Sequence, residues 1–204
     1  MYMYSLDAPT SVTDSSGLTP PSCPAITVIP RSKWGRRSPN PNNMTPDPSK
    51  RSRIVIHHQG RSAIGAHLGD NDRQFTEMRR VEHGHMKKQG YGDVGYNFAI
   101  GAQGQIFEGR SLQYQGAHLE GANPGTIGIL IIGNYSGKLH MTPEAEHSLC
   151  NLLKNLAYAH GIALTRANVI GHTEGLPGGH GSTECPGSLL GDLPRILQDC
   201  SSRR

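Results

Sequence analysis

The chain has 204 residues, 35% of them apolar and 18% charged, which suffices for one packed domain with a short appendage and excludes wholesale disorder. A formal charge of +4 suits anionic partners, cell-wall polymers included. No Lys/Arg stripe interleaved with aromatics occurs, so nucleic acid is not expected as a partner, and no run of about 18 apolar residues is present to span a membrane.

Residues 1–22 are rich in Ser, Thr, Pro and Asp and read as a flexible leader. They lack the basic start and apolar core of an ordinary secretory signal. One domain over residues 23–200 and a tail at 201–204 complete the expected organisation. Within the domain, residues 53–58 (RIVIHH) form a β-branched run, read as a buried strand that delivers two histidines at its end. Residues 76–89 are polar and helix-like, closed by Gly90. Residues 96–100 and 105–108 read as a hairpin around Gln103-Gly104. Residues 126–132 (TIGILII) are the most apolar stretch and the expected central strand.

The clearest helix covers residues 142–160. Thr142 suits its cap, Pro143 its first position, and Glu144 and Glu146 the positive end of its dipole. Apolar residues follow at helical spacing and Gly161 stops it. Residues 168–172 read as a short strand ending in His172, and residues 189–198 as a last helix interrupted by Pro194. Strands and helices alternate loosely. The expected fold is therefore a single α/β domain, a central mixed β-sheet flanked by helices on both faces, with the functional cleft at one edge.

Position sorts the eleven histidines. His57/His58 and His172 end predicted strands, and Cys185 lies in the Gly/Pro-rich segment STECPG. Strand ends at one sheet edge are where α/β folds place their sites. Two imidazoles and one thiolate form a three-ligand set suited to zinc, which would acidify water and polarise a carbonyl. Spacing alone leaves ordinary alternatives open: hydrogen-bonded surface histidines, and a cysteine that is a buried hydrophobe or half of a disulfide.

The series IVIHH (54–58), YGDVGYNFAI (91–100), GQIFEGR (104–110), GAH (116–118), TIGILIIGNY (126–135), GH (171–172) and CPG (185–187) resembles the peptidoglycan-recognition-protein branch of the type 2 N-acetylmuramoyl-L-alanine amidases. The resemblance implies a zinc-dependent hydrolase that cuts the amide between N-acetylmuramic acid and L-alanine of peptidoglycan. The alternative is a module that binds peptidoglycan without cutting it. It implies zinc ligands at His57, His172 and Cys185, and strand alternation agrees that only one of His57 and His58 faces the cleft. Tyr96 matches the family's active-site tyrosine, and Thr183 falls where relatives carry a catalytic lysine or a threonine. His118 and Asn123 match cleft residues expected to touch the glycopeptide. Tyr114 falls where relatives sort the third stem residue.

Two further expectations come from the resemblance. In secreted relatives a cysteine before the first conserved segment bridges to one on the long helix, which implies a Cys23–Cys150 disulfide and an oxidising, extracellular or periplasmic setting. The segment between His172 and Cys185 is longer than in many relatives and adds His180, a possible competing ligand. His85 is read as packing. The protein is expected to be a monomer.

Overall fold

The computed structural model describes residues 24–60, 71–176 and 183–202. The expected leader, Cys23, His67 and His180 lie outside the described residues.

Six strands form one sheet: β1 (Val28–Ile29), β2 (Arg53–His58), β3 (Phe98–Ile100), β4 (Ile106–Glu108), β5 (Thr126–Ile131) and β6 (Val169–Gly171). Their spatial order is β1-β4-β3-β5-β2-β6. All neighbours run parallel except the β3–β4 pair, so the sheet is mixed. β5 lies inside the sheet, between β3 and β2, and every one of its residues is buried, as its composition requires.

Helices cover both faces. On one side α3 (Pro143–His160) and α5 (Leu189–Ser202) pack on Ile54, Ile56, Ile127, Ile129 and Ile131. On the other, α1 (Arg31–Trp34) and α2 (Asn71–Glu82) bring Trp34 and Met78 against Ala99, Phe107 and Leu130. The strand period of two sorts these side chains: odd positions of β5 face α3 and α5, and Leu130 faces α2. The α/β sandwich expected from the sequence is thus the fold observed.

Local chemistry fixes the ends of α3. The Thr142 hydroxyl accepts from the Ala145 amide at 3.2 Å, and Gly161 takes the left-handed conformation at φ 65° that closes the helix. α5 absorbs Pro194, which falls on its exposed side, while Leu193, Ile196, Leu197 and Cys200 hold the buried side. That helix continues to Ser202, past the end expected from the sequence, because its apolar face continues to Cys200.

The helix expected over residues 76–89 begins earlier, at Asn71, and from His83 to Lys88 it widens into a π-helical turn. Four short elements escape the sequence pattern: β1, α1, the 3₁₀ turn Pro41–Asn43 and α4 (His172–Gly175). Each is four residues or fewer, too short to display a period.

The expected Cys23–Cys150 bridge is corrected by the structure: Cys150 is joined to Cys200. Cys150 lies on the buried side of α3 and Cys200 on that of α5, with Cα atoms 5.3 Å apart. The two helices pack on the same sheet face, so the tertiary contact selects this partner.

Candidate metal centre and cleft

The parallel β2–β6 register pairs Ile56 with Gly171, so the next residue of each strand falls side by side: His57 and His172. Their rings lie 4.5 Å apart between centroids. α4 starts at His172, its first turn held by the Glu174 carboxylate, which accepts from the Gly171 amide at 2.7 Å. The segment before α5 then returns Cys185 to β2. The His58 amide donates to the Cys185 Sγ at 3.3 Å, and the Thr173 amide donates to the Cys185 carbonyl at 3.2 Å. One donor atom from each of His57, His172 and Cys185 lies within 4.8 Å of the other two.

His58 points the other way. Its Nδ1 accepts from the Tyr135 amide at 3.0 Å, on the α5 side of the sheet. Alternation along β2 therefore separates the two adjacent histidines, as expected.

Behind His57 stands His118. The His57 Nε2 and the His118 Nδ1 are 3.1 Å apart, and the His118 Nε2 is 3.4 Å from the Thr126 Oγ1. The chain of donors has one consistent direction. The Thr126 hydroxyl donates to the Asn123 carbonyl at 2.6 Å, because a carbonyl only accepts. Thr126 Oγ1 then accepts from Nε2–H of His118, leaving His118 Nδ1 to accept from Nε2–H of His57. The Nδ1 lone pair of His57 is thereby directed towards Cys185, whose sulfur is 3.7 Å away. Gly128 makes this possible, since a Cβ there would meet the His118 ring at 2.4 Å.

Burial disfavours the charged form of each imidazole. It lowers His57 well below the ordinary histidine value, aided by the neighbouring His118, His172 and His58; it brings His118 to about 3 and lowers His172. All three rings are therefore neutral at pH 7, the state a metal ligand needs. Burial pushes the Cys185 thiol up to about 11, with the His58 amide pulling the other way. Such a sulfur is not a free nucleophile at neutral pH; a divalent cation would have to displace its proton. Two imidazoles and one thiolate at this separation fit zinc, whose bonds to nitrogen and sulfur are about 2.0–2.3 Å long.

Tyr96 stands over the same group, its ring 5.0 Å from that of His57. Burial first, then Cys185 and Tyr91, raise its phenol above the ordinary tyrosine range, so it is a hydrogen-bond donor at neutral pH. The run around it has local causes. Asn97 accepts from the Gly128 amide at 2.9 Å and donates to the Arg110 carbonyl at 3.0 Å, tying the Tyr96 segment to β5. Buried Arg110 donates to the carbonyls of Val94, Gln115 and Asp93 at 2.9–3.0 Å, so the EGR and DVGYNF segments brace each other. A Cβ at Gly95 would meet the Ala117 carbonyl oxygen at 2.3 Å, which is why that position is glycine.

The remaining expected site residues are placed as follows. His118 is buried with both ring nitrogens engaged, and the Asn123 Oδ1 accepts from the amides of His118 and Leu119 at 3.0 and 2.9 Å. Both support His57 from behind. The Thr183 Oγ1 accepts from the Cys185 amide at 3.1 Å, which leaves its hydrogen available. Tyr114 is half-buried and bridges Pro46; no contact joins it to the histidine–cysteine group.

His85, read as packing from the sequence, lies beside Tyr96 with ring centroids 5.5 Å apart, and together with Gln59 the two line one hollow. Its Nδ1 accepts from the Gly95 amide at 2.9 Å, which leaves Nε2 as the protonated nitrogen, and burial lowers its pKa to about 4.

This fold is shared with known proteins. Residues 47–188 match the family described as N-acetylmuramoyl-L-alanine amidase. Peptidoglycan-recognition protein SC2 of Drosophila simulans is 32% identical over 165 residues, covering 81% of this chain and 83% of that protein. The N-acetylmuramoyl-L-alanine amidase of Homo sapiens is 32% identical over 173 residues, covering 85% of this chain and 28% of that longer protein. Among solved structures, Drosophila peptidoglycan recognition protein SD aligns with a TM-score of 0.70 at 26% identity, over 83% of this chain and 94% of that one. Peptidoglycan recognition protein LE, solved in complex with tracheal cytotoxin, a monomeric diaminopimelic acid-type peptidoglycan, aligns at 0.68 and 29% identity, over 84% and 92%. The chain belongs to the N-acetylmuramoyl-L-alanine amidase family, in its peptidoglycan-recognition-protein branch.

Proposed function

We propose that this protein is a zinc-dependent amidase that cuts the bond between N-acetylmuramic acid and the L-alanine of the peptidoglycan stem. The observation that carries the reading is the convergence of donor atoms from His57, His172 and Cys185 within 4.8 Å. The amidases and recognition proteins among its relatives, and the bound peptidoglycan fragment of one neighbour, point to the same substrate. Zinc, when bound by these three residues, supplies a Lewis acid for the scissile carbonyl and lowers the pKa of water towards about 7.

The chain's own residues do the rest. His118, backed by Thr126 and Asn123, holds His57 in the tautomer whose Nδ1 faces the metal position. Tyr96, kept protonated by its burial, donates to the oxyanion that forms on the lactyl carbonyl. Thr183, its oxygen already anchored to the Cys185 amide, turns its hydrogen to the same oxyanion. His85 and Gln59 line the hollow next to Tyr96 and position the glycopeptide there. Tyr114, which bridges Pro46, meets the stem peptide.

The setting is extracellular or periplasmic, consistent with the Cys150–Cys200 disulfide, and the protein acts as a monomer. Among the described residues no helix is long and apolar enough to cross a membrane.

Digestion of purified sacculi with the zinc-loaded protein, followed by mass spectrometry, tests the reading. Stem peptides with a free L-alanine amino terminus and glycan strands of unchanged length are expected. Sacculi that bind the protein yet release no stem peptide would leave only the non-catalytic binding module.

A further inference from the structure

Beyond the hollow at Tyr96, on the outer side of α2, lies a second cleft of about 380 Å³. Arg36 and Arg37, from the segment after α1, form one wall; Arg79, Arg80, His83 and Lys88 form the other. Among the described residues only one carboxylate lines the cleft, that of Glu82, and it is fully engaged inwards. Its Oε1 accepts from Arg31 Nη2 at 2.7 Å and from the amides of Arg36 and Arg37 at 3.0 Å each. Glu82 thus draws the Arg36-Arg37 backbone onto the helix and leaves their side chains to line the cleft. Among the described residues the guanidinium groups of Arg36 and Arg37 make no hydrogen bond or ion pair, whereas Arg79 is fixed by donating to the Trp34 carbonyl at 3.0 Å and Arg80 by Glu77.

Such an arrangement stores like charge in a concave place. Several cations around one small volume repel each other, and an anion between them relieves that repulsion. Planar guanidinium groups match the oxygens of a phosphoryl group in pairs. The π-helical turn His83–Lys88 supplies three lining residues, His83, Gly84 and Lys88, and such widened turns occur often at functional sites. The volume lies in the range of small-ligand pockets, about 300–1,000 Å³.

We propose that this cleft is a binding site for a phosphate-bearing ligand, a phosphomonoester or phosphodiester group, separate from the histidine–cysteine centre. Arg80 and Gly84 line both the cleft and the hollow beside Tyr96, so a phosphorylated segment could lie in one while its neighbour lies in the other. The phosphate-binding claim itself stands whether or not the protein is an amidase.

The test uses the full chain. Backbone amide shifts are followed by NMR while inorganic phosphate is added, with sodium chloride at matched ionic strength as the reference. Saturable shifts at Arg36, Arg37, Gly84 and Lys88 are expected, absent with chloride. The triple variant Arg36→Gln/Arg37→Gln/Lys88→Gln should weaken binding by about tenfold or more. The double variant Lys50→Gln/Lys138→Gln, which removes the same kind of charge away from the cleft, should change it little. Flotation with phosphatidylglycerol and phosphatidylcholine vesicles separates the sources. Binding to the anionic vesicles that the triple variant loses makes a lipid headgroup the source, and phosphate binding without vesicle binding makes it a soluble or polymeric phosphate. Shifts equal to those with chloride, or a triple variant that binds as well as the parent, would overturn the proposal. If the triple variant fails to fold, Arg36→Lys/Arg37→Lys keeps the charge but loses the paired geometry; unchanged affinity there would overturn the specific role of the two guanidinium groups.

Discussion

The Nδ1 of His57 lies 3.7 Å from the Sγ of Cys185, a residue 128 positions later in the chain. The other nitrogen of the same ring is committed to His118. Since that commitment runs through Thr126 to a backbone carbonyl, the lone pair facing the sulfur is set by the fold, before any ligand arrives.

Cys185→Ser should therefore strike retention of zinc first. A hydroxyl is a poorer ligand than a thiolate, so the purified variant should carry far less zinc and lose most amide hydrolysis. Elemental analysis beside a sacculus assay checks this. Full zinc content would remove Cys185 from the ligand set.

Tyr96→Phe separates binding from chemistry. Loss of one oxyanion donor costs on the order of 10²–10³ in kcat, with zinc content unchanged. Turnover equal to that of the parent would refute the proposed role of the phenol.

His118 acts through His57. His118→Ala should weaken zinc binding by about 10–100-fold, the usual effect of removing the group that orients a ligating histidine. Competition with a chromogenic chelator measures it. An unaltered zinc affinity would show that the His57 tautomer is set by something else.

Asp47 makes an acid-sensitive brace at the entry to β5, through the Gly125 amide. Burial pushes its carboxyl up, but the Gly125 amide at 3.0 Å, Arg51 and Ser49 outweigh this and hold it at about 2, against an ordinary 3.8. A depressed folded-state value means that the stabilisation is complete above about pH 4 and is lost as the pH falls towards 2. Asp47→Asn leaves Arg51 buried without its counter-charge and should cost about 3–5 kcal/mol. Urea denaturation at pH 7 and pH 3 should show the gap between parent and variant narrowing in acid.

The Cys150–Cys200 bridge should appear in non-reducing peptide mapping. It joins residues 50 apart, and its loss in Cys200→Ala should lower stability by about 2–4 kcal/mol. A Cys23–Cys150 peptide instead would contradict the pairing.

What could be read from the chain follows from what has a period or a local cap. β2, β5 and α3 were legible because alternation, apolar runs and the Thr142/Gly161 caps are written within each segment. The separation of His57 from His58 also follows from alternation alone. The partnership of Cys150 with Cys200 could not be read, since it depends on α3 and α5 sharing a sheet face, a tertiary fact. The support that His118 and Asn123 give to His57 was likewise hidden, because it rests on two nitrogens of one ring and on the space left by Gly128. The Arg36–Arg37 cleft depends on a carboxylate 45 positions further along the chain, at Glu82.

Zinc K-edge absorption spectroscopy on the metal-loaded protein tests the central claim most directly. Two nitrogen donors near 2.0 Å and one sulfur donor near 2.3 Å, roughly as in other zinc sites of this donor set, are predicted, with the sulfur contribution lost in Cys185→Ser. A spectrum with no sulfur in the parent protein, or one identical in the variant, would contradict the account.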